Sequence, residues 1–176
     1  KQFGCEPSFC AYTGDTKIPP IDAMTHPYRY AGAHLHFSPQ IVDYGPPVRY
    51  DYPILRDPAR YPDLIKLFDQ YLGLPLTCLT HSKAQYMRRR FYGQAGEYRP
   101  QCYVKQSSQT GESVLGVEYR TPGPELWNTA WLASLMLGIG RTVVENFPAL
   151  KKTLDTERSE AVRHAQIHAV QRQRAQ

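Results

Sequence analysis

The chain has 176 residues, a net charge of +5 and a hydrophobic content of 41%, values typical of one folded globular domain rather than a disordered chain. No apolar run is long enough to span a bilayer, and the four cysteines lack the CxxC spacing of a thiolate zinc site. The mild positive charge suits anionic ligands such as nucleotides, but it does not select among them.

Two strands are predicted in the N-terminal part of the chain. Residues 3–12 are short and rich in aromatic side chains, which favours a strand that leads into a loop. Residues 30–38 alternate, with apolar side chains on one face and His34 and His36 on the other. Both segments are therefore expected to lie in a sheet.

The clearest predicted helix covers residues 57–73. Asp57 is a suitable N-cap, and large apolar residues recur at helical spacing through the segment. Gly73 suits a C-terminal stop, because glycine commonly ends helices in a left-handed conformation. The helix is expected to end there.

The C-terminal half predicts a strand pair followed by helices. Residues 98–104 and 114–121 favour two strands joined by an exposed polar loop. Residues 126–147 predict a long, almost wholly apolar helix that we expect to be buried on most sides. Residues 151–176 are charged and rich in glutamine, which predicts a solvated helix or a frayed tail. Together the elements indicate an α+β fold, an antiparallel sheet with helices packed on one face.

The sharpest local motif is His-x-His on the second predicted strand. Side chains two residues apart on a strand point the same way and lie about 6–7 Å apart, so His34 and His36 should face one ligand. Neutral imidazoles bind divalent cations or donate hydrogen bonds to phosphate oxygens. The alternative is a pair of partly exposed histidines without a function.

A second motif, Glu118 and Arg120, lies on the last predicted strand. The two side chains share a face, so they form either a structural ion pair or a metal ligand beside an anion-binding guanidinium. Both interpretations fit the pattern.

A third motif is the basic turn at residues 88–99, with the sequence RRRFYGQAGEYR. Guanidinium groups bind phosphate through paired hydrogen bonds, so Arg89, Arg90 and Arg99 are candidate phosphate ligands. The alternatives are a solvated basic turn and a nucleic-acid contact.

Taken together, these motifs resemble the catalytic core of glutamine synthetases. They are more similar still to the COOH–NH2 ligase-type amidoligase family of tailed bacteriophages, which has a glutamine-synthetase-like fold. The resemblance spans about residues 3–147. It is carried by GCEPSFCAYTG at 4–14, RYAGAHLHF at 29–37, DQYLGLP at 69–75, RRFYGQAGEYRP at 89–100 and GVEYR at 116–120.

The resemblance implies an ATP- and Mg²⁺-dependent ligase that joins a carboxylate to an amine through an acyl phosphate. It also implies roles for individual side chains. The implied catalytic residues are Glu118, Arg120 and Arg99, and two of them, Glu118 and Arg99, have a second role. The implied metal ligands are His34 and Glu118, the implied phosphate contacts are His36, Arg99 and either Arg89 or Arg90, and the implied contact for the carboxylate or acyl phosphate is Arg120.

The chain departs from the family pattern near its N-terminus. Ser8 stands where the family has an acidic residue, and Glu6, on the same strand face, is the candidate substitute as a metal ligand. The family also has a preceding region with further acidic ligands, so the catalytic core is expected to be incomplete at the N-terminus. A missing segment or a partner subunit would then complete the site.

These expectations define the domains, partners and location. Residues 1–150 are expected to form the C-terminal portion of an amidoligase-like catalytic domain, and residues 151–176 its tail. The expected substrates are small-molecule or peptide carboxylates and amines, in the cytoplasm of an infected bacterial host or in the virion, without a membrane. The alternative is an inactive, virion-associated protein of the same fold. Nucleic-acid binding is disfavoured because it leaves the histidine and Glu118 motifs unexplained.

Overall fold

The computed structural model describes residues 8–17, 31–43, 45, 49–80, 82–104 and 113–174. The strands in these ranges are β1 (Ser8–Cys10), β2 (Thr16–Lys17), β3 (Leu35–Phe37), β4 (Ile41–Asp43), β5 (Arg49–Tyr50), β6 (Glu97–Val104) and β7 (Ser113–Tyr119). Five of them form one antiparallel sheet in the order β2, β1, β6, β7 and β3, whereas β4 and β5 form a separate pair.

The longest strand pairing, between β6 and β7, confirms the predicted pair of strands. It runs from Tyr98 opposite Tyr119 to Val104 opposite Ser113. The predicted connecting loop falls mostly on residues 105–112, which lie outside the described residues. On its other side β7 pairs with β3, so β7 lies inside the sheet with a neighbour on each side.

The α-helices are α1 (Tyr61–Phe68), α2 (Leu74–Leu79), α3 (Lys83–Arg89), α4 (Ala130–Glu145) and α5 (Phe147–Arg174). Short 3-10 turns cover Pro53–Arg56, Pro58–Arg60 and Pro124–Asn128, and a π-helical turn, Asp69–Gly73, joins α1 to α2. In the described part of the chain no helix is both long enough and apolar enough to cross a membrane.

The predicted helix at residues 57–73 begins as expected but does not end as expected. The Asp57 side chain caps the first turn by accepting from the Ala59 N–H at 3.2 Å. Gly73, however, keeps a helical φ of −64°, and the chain continues into α2. A Cβ at this position would collide with the Tyr119 hydroxyl. Glycine is therefore required for the close approach of this turn to β7, not for a helix stop.

Helix α4 is less buried than its composition predicts. Leu132, Met136 and Val143 form a buried stripe, whereas Trp131 is 65% exposed and Leu135 45% exposed. The expectation that this helix is buried on most sides is therefore wrong. The reason is geometric, because the helix packs against the layer of α1 and the π-helical turn along one face, and no described residue covers its opposite face.

The charged C-terminal segment is helical throughout its described length. Helix α5 begins at Phe147 and so crosses residue 150, the end of the expected catalytic domain. Leu150 and Leu154 pack against the core, and Lys151 lies 3.3 Å from Asp63 on α1. The first two turns of this helix thus belong to the packed structure, although most of their neighbours up to residue 161 are exposed.

The sheet has one apolar face and one polar face, as the α+β prediction requires. Along β7, Val117 and Tyr119 point toward the helices and are fully buried. Glu118 points the other way, because successive side chains on a strand alternate between faces. Its cross-strand neighbours are His36 on β3 and Arg99 on β6. Helix α1 packs against β6 and β7 on the apolar face, and the polar groups gather on the opposite face.

Candidate active site on the polar face of the sheet

Glu118 is the centre of a polar cluster on the polar face of the sheet. His36 and Arg99 stand directly opposite it on the two neighbouring strands. Residues directly opposite in antiparallel strands have Cβ atoms about 5 Å apart, so all three side chains share one patch of surface. Glu118 is only 3% exposed, whereas His36 is exposed to solvent.

Four side chains form a closed ring of hydrogen bonds around one oxygen of this carboxylate. Glu118 Oε1 lies 2.6 Å from His34 Nδ1 and accepts from Arg120 Nη1 at 2.7 Å. The Tyr92 hydroxyl lies 2.7 Å from His34 Nε2 and accepts from Arg120 Nη2 at 3.0 Å. All donors and acceptors match when His34 is neutral with its proton on Nδ1 and Tyr92 donates to Nε2.

The second oxygen of Glu118 has its own partners on β6. Glu118 Oε2 accepts from Gln101 Nε2 at 2.5 Å and lies 3.4 Å from Arg99 Nη1. The carboxylate is therefore surrounded by donors from β6, from the residue directly after β7 and from the residue directly before β3. This arrangement requires β3, β6 and β7 to be paired.

The surroundings keep Glu118 ionised. Burial alone would raise the pKa of this carboxyl, but the hydrogen bond from His34 and the positive charge of Arg120 outweigh it, and the pKa falls to about 2. Two guanidinium groups then face a single carboxylate, which leaves an excess positive charge on this patch. Such a patch attracts carboxylate or phosphate groups of a ligand.

The same cluster contains a possible cation site. His34, His36 and Glu118 each offer a ligand atom, and these atoms lie within 4.8 Å of one another. One carboxylate with two imidazoles fits a single divalent cation. Mg²⁺ prefers oxygen ligands and is commonly held by one or two carboxylates together with substrate phosphates. The remaining proposed ligand, Glu6, lies outside the described residues.

Arg89 and Arg90 are not part of the cluster. Consecutive residues on a helix point about 100° apart, and it is Arg88 that turns toward the sheet. Arg88 is 4% exposed and donates to the Thr121 carbonyl oxygen at 2.7 Å. Arg90 is exposed directly after α3, and Arg89 lines a cavity on the helix-covered face. The expected phosphate contacts from these two arginines therefore have no counterpart beside His36.

Sequence reasoning missed Tyr92 and Gln101. Gln101 carries a usable signal, because it follows Arg99 by two residues on a strand and must share its face. Tyr92 lies in a bend between α3 and β6, where no periodicity predicts the direction of a side chain. Its role appears only when the chain segments that meet at the sheet are placed together.

A comparison with known protein families identifies the family of the chain. A family model described as "Phage phiEco32-like COOH.NH2 ligase-type 2" matches residues 60–173. The match includes β6 and β7 with Arg99, Glu118 and Arg120, but it begins after His34 and His36. No curated protein and no solved structure matches the chain.

Proposed function

Because the chain belongs to the phage phiEco32-like COOH-NH2 ligase-type 2 family, we propose that it forms an amide bond between a carboxylate and an amine, using ATP and Mg²⁺. The observation that supports this most directly is the convergence of His34, His36, Glu118 and Arg120 on one patch. In this proposal the patch is the catalytic part of a glutamine-synthetase-like site.

The reaction would proceed in two balanced steps. A carboxylate oxygen attacks the γ-phosphorus of ATP, the bond to the β-phosphate oxygen breaks, and ADP leaves with the acyl phosphate formed. The amine nitrogen then attacks the acyl carbon, inorganic phosphate leaves, and the amine loses a proton to solvent. Both steps spread negative charge over phosphoryl oxygens, so cationic groups fixed in advance lower the barrier.

The arginines are the groups that would meet this charge. Arg120 is held by its bonds to Glu118 and Tyr92, so its guanidinium is already oriented before a ligand arrives. Arg99 stands on the opposite side of the same carboxylate, and His36 lies at the solvent-facing edge. Arg120 would hold the carboxylate or acyl phosphate, and Arg99 and His36 would contact the nucleotide phosphates.

A bound Mg²⁺ would neutralise charge on the phosphoryl oxygens, with Glu118 and one or both histidines as its protein ligands. Its binding requires Glu118 to exchange part of its contact with Arg120 or Arg99 for the cation. Further acidic ligands would come from a preceding segment or a partner subunit. The substrates would be small-molecule or peptide carboxylates and amines, in the infected host cytoplasm or the virion.

The decisive experiment compares two variants, one within β3 and one directly after it. Inorganic phosphate release from ATP and Mg²⁺ is measured with a panel of amino acids and polyamines on the full chain. We expect acid-dependent release in the wild type and a loss on the order of 100-fold in His36→Gln, because one fixed phosphate contact is removed. Ser38→Ala is the control, since Ser38 is exposed two residues further along and lies outside the cluster. Phosphate release that does not depend on the added acid, or full activity of His36→Gln, would contradict the proposal.

A second candidate function is supported by the way Glu118 is satisfied. Its carboxylate already has four donors, two of them guanidiniums, so the cluster is stable without a cation. A virion component with this fold would therefore need neither a bound cation nor a nucleotide to keep the cluster intact. Co-sedimentation of the chain with purified virions, together with absent phosphate release, would favour this structural function over the ligase.

A further inference from the structure

A cavity with a mostly apolar lining and a few charged groups lies on the helix-covered side of the sheet. It has a volume of about 590 Å³, and its wall includes Tyr12, Asp69, Arg89 and Thr121. The sheet separates it from the cluster described above, because Asp69 contacts Tyr119, whose side chain points away from that of Glu118. This volume is within the usual range for small-ligand pockets, roughly 300–1,000 Å³.

Asp69 is a buried carboxylate that is only half satisfied. Its Oδ1 accepts from the Tyr119 hydroxyl at 2.7 Å and from the Thr121 hydroxyl at 3.2 Å. Its Oδ2 is buried and has no hydrogen-bond partner among the described residues. Asp69 is 7% exposed, and burial raises its pKa, although the hydroxyls of Tyr119, Tyr12 and Thr121 and the Gly96 N–H act to lower it. A donor that reached Oδ2 would remove the cost of leaving a buried acceptor unpaired.

A guanidinium nitrogen at the cavity also lacks a hydrogen-bond partner among the described residues. Arg89 Nε is buried without a hydrogen-bond partner in the described part of the chain, and no ion pair there joins Arg89 to Asp69. Two more cations, Lys66 on α1 and Arg158 on α5, line the same cavity. Three positive groups therefore accompany one buried acid, and all four come from different elements.

The backbone at this place is irregular. Asp69 opens the π-helical turn, a geometry that is rare in proteins and occurs frequently at functional sites. Gly73 at the end of the same turn lets Tyr119 approach closely and hold Asp69. The turn thus brings Gly73 against β7, where Tyr119 reaches Asp69 at the cavity wall.

We propose that this cavity is a binding site for a small amino dicarboxylate, an amino acid with one ammonium group and two carboxylates. The ammonium would donate to Asp69 Oδ2, and the carboxylates would accept from Arg89 and from Lys66 or Arg158. A ligand of net negative charge with a single positive group matches the charges of the wall. The site is separate from the Glu118 cluster and does not rest on the ligase function.

The proposal is tested by calorimetric titration of the full chain with aspartate and glutamate. Succinate and glutarate, which lack the ammonium, and ATP and inorganic phosphate serve as further probes. We expect saturable binding of an amino dicarboxylate and binding at least about tenfold weaker for its counterpart without nitrogen, since one charge-assisted hydrogen bond is lost. Asp69→Asn and Arg89→Gln should each weaken binding by at least about tenfold.

Arg90→Gln is the matched control, because Arg90 follows Arg89 directly but is exposed and lies outside the cavity. It should bind like the wild type. The proposal is overturned if no amino dicarboxylate binds the wild type, if the counterparts without nitrogen bind equally well, if ATP or phosphate is the preferred ligand, or if Arg90→Gln weakens binding as much as Arg89→Gln. The wild-type titrations and Arg89→Gln decide the matter even if Asp69→Asn fails to fold.

Discussion

Tyr92 is the residue that links the histidine side of the Glu118 cluster to the arginine side. Its hydroxyl is the partner of both His34 Nε2 and Arg120 Nη2. Phenylalanine at this position would keep the ring but leave both partners without their shared oxygen. Orientation of ligating groups by such neighbours is typically worth about 10–100-fold in activity or metal affinity.

We therefore expect Tyr92→Phe to lower ATP turnover by about 10–100-fold and the free energy of unfolding by about 1–3 kcal/mol. Phosphate release and urea unfolding measure the two effects. Tyr86→Phe is the control, because Tyr86 is 64% exposed on α3 and should change neither quantity. Equal turnover in Tyr92→Phe and the wild type would show that the ring of hydrogen bonds does not orient the site.

Glu118 predicts a specific dependence of stability on pH. Its pKa is lowered from 4.5 to about 2 in the folded protein, where the hydrogen bond from His34 and the charge of Arg120 exceed the opposing effect of burial. A carboxyl with a lowered pKa stabilises the fold fully above its ordinary pKa, and this contribution disappears as the pH falls through the folded value. The loss should therefore occur between pH 4.5 and about 2.

The comparison with Glu118→Gln isolates this contribution from those of other carboxyls. At neutral pH we expect the variant to be less stable by about 3 kcal/mol, because it leaves the buried guanidinium of Arg120 and the half-buried guanidinium of Arg99 without their anion. Denaturant unfolding across acid pH should show this difference shrinking as Glu118 of the wild type becomes protonated. If the difference in the free energy of unfolding stayed constant down to pH 2, the lowered pKa of Glu118 would not be the source of the pH dependence.

At the residue scale, strand alternation explains why part of the site could be predicted. It correctly placed His34 with His36, and Glu118 with Arg120, on single faces, and the family resemblance suggested that the two pairs meet. Strand alternation could not predict side-chain directions at residues 88–92, where a helix ends in a bend. There the direction of each arginine depends on which one finds a carbonyl partner, and that partner, the Thr121 oxygen, is remote in the chain.

The π-helical turn is the element that most directly ties the helices to the sheet. Alanine at Gly73 would place a methyl group against the Tyr119 hydroxyl and disturb its bond to Asp69. We expect Gly73→Ala to lower the free energy of unfolding by about 1–3 kcal/mol, as for overpacked cores. Thermal unfolding monitored by circular dichroism is the measurement.

Gly138→Ala is the matched control for this substitution. Gly138 lies inside α4, is exposed, and a Cβ there would meet nothing within 4 Å. Alanine should therefore stabilise the protein by about 0.5–1 kcal/mol through helix propensity. If the two glycine variants shifted the melting temperature in the same direction, the close approach at Gly73 would not be the constraint described above.

At the element scale, the sequence predicted what local patterns determine and failed where packing decides. The strand pair of β6 and β7 and the Asp57 cap follow from alternation and capping chemistry. The continuation of the helix beyond Gly73 and the exposed side of α4 do not follow from local patterns. Both depend on which other element packs against that part of the chain. Composition shows that α4 is apolar, but only the assembled layers show which of its faces is covered.

At the scale of the whole molecule, the family and the α+β class were predicted correctly and the site roles remain predictions. The family match covers residues 60–173, so His34 and His36 lie outside it. Their place in the site is supported by the geometry alone. Their pairing with the matched part is nevertheless specific, since His36 stands opposite Glu118. The histidines and the matched strand thus form one structural unit, although the match begins after them.

The alternation along β7 has a further consequence for how the sheet selects its alignment. A slip of one residue in strand pairing would carry Glu118 under the helices and turn Tyr119 out to water. A one-residue shift is therefore unfavourable on both faces, because it would expose the apolar side chains on one face and bury the charged cluster on the other. Mutations that neutralised the charged cluster would remove one of these two costs of mispairing. The other would remain, because Tyr119 would still lose its packing against Phe68.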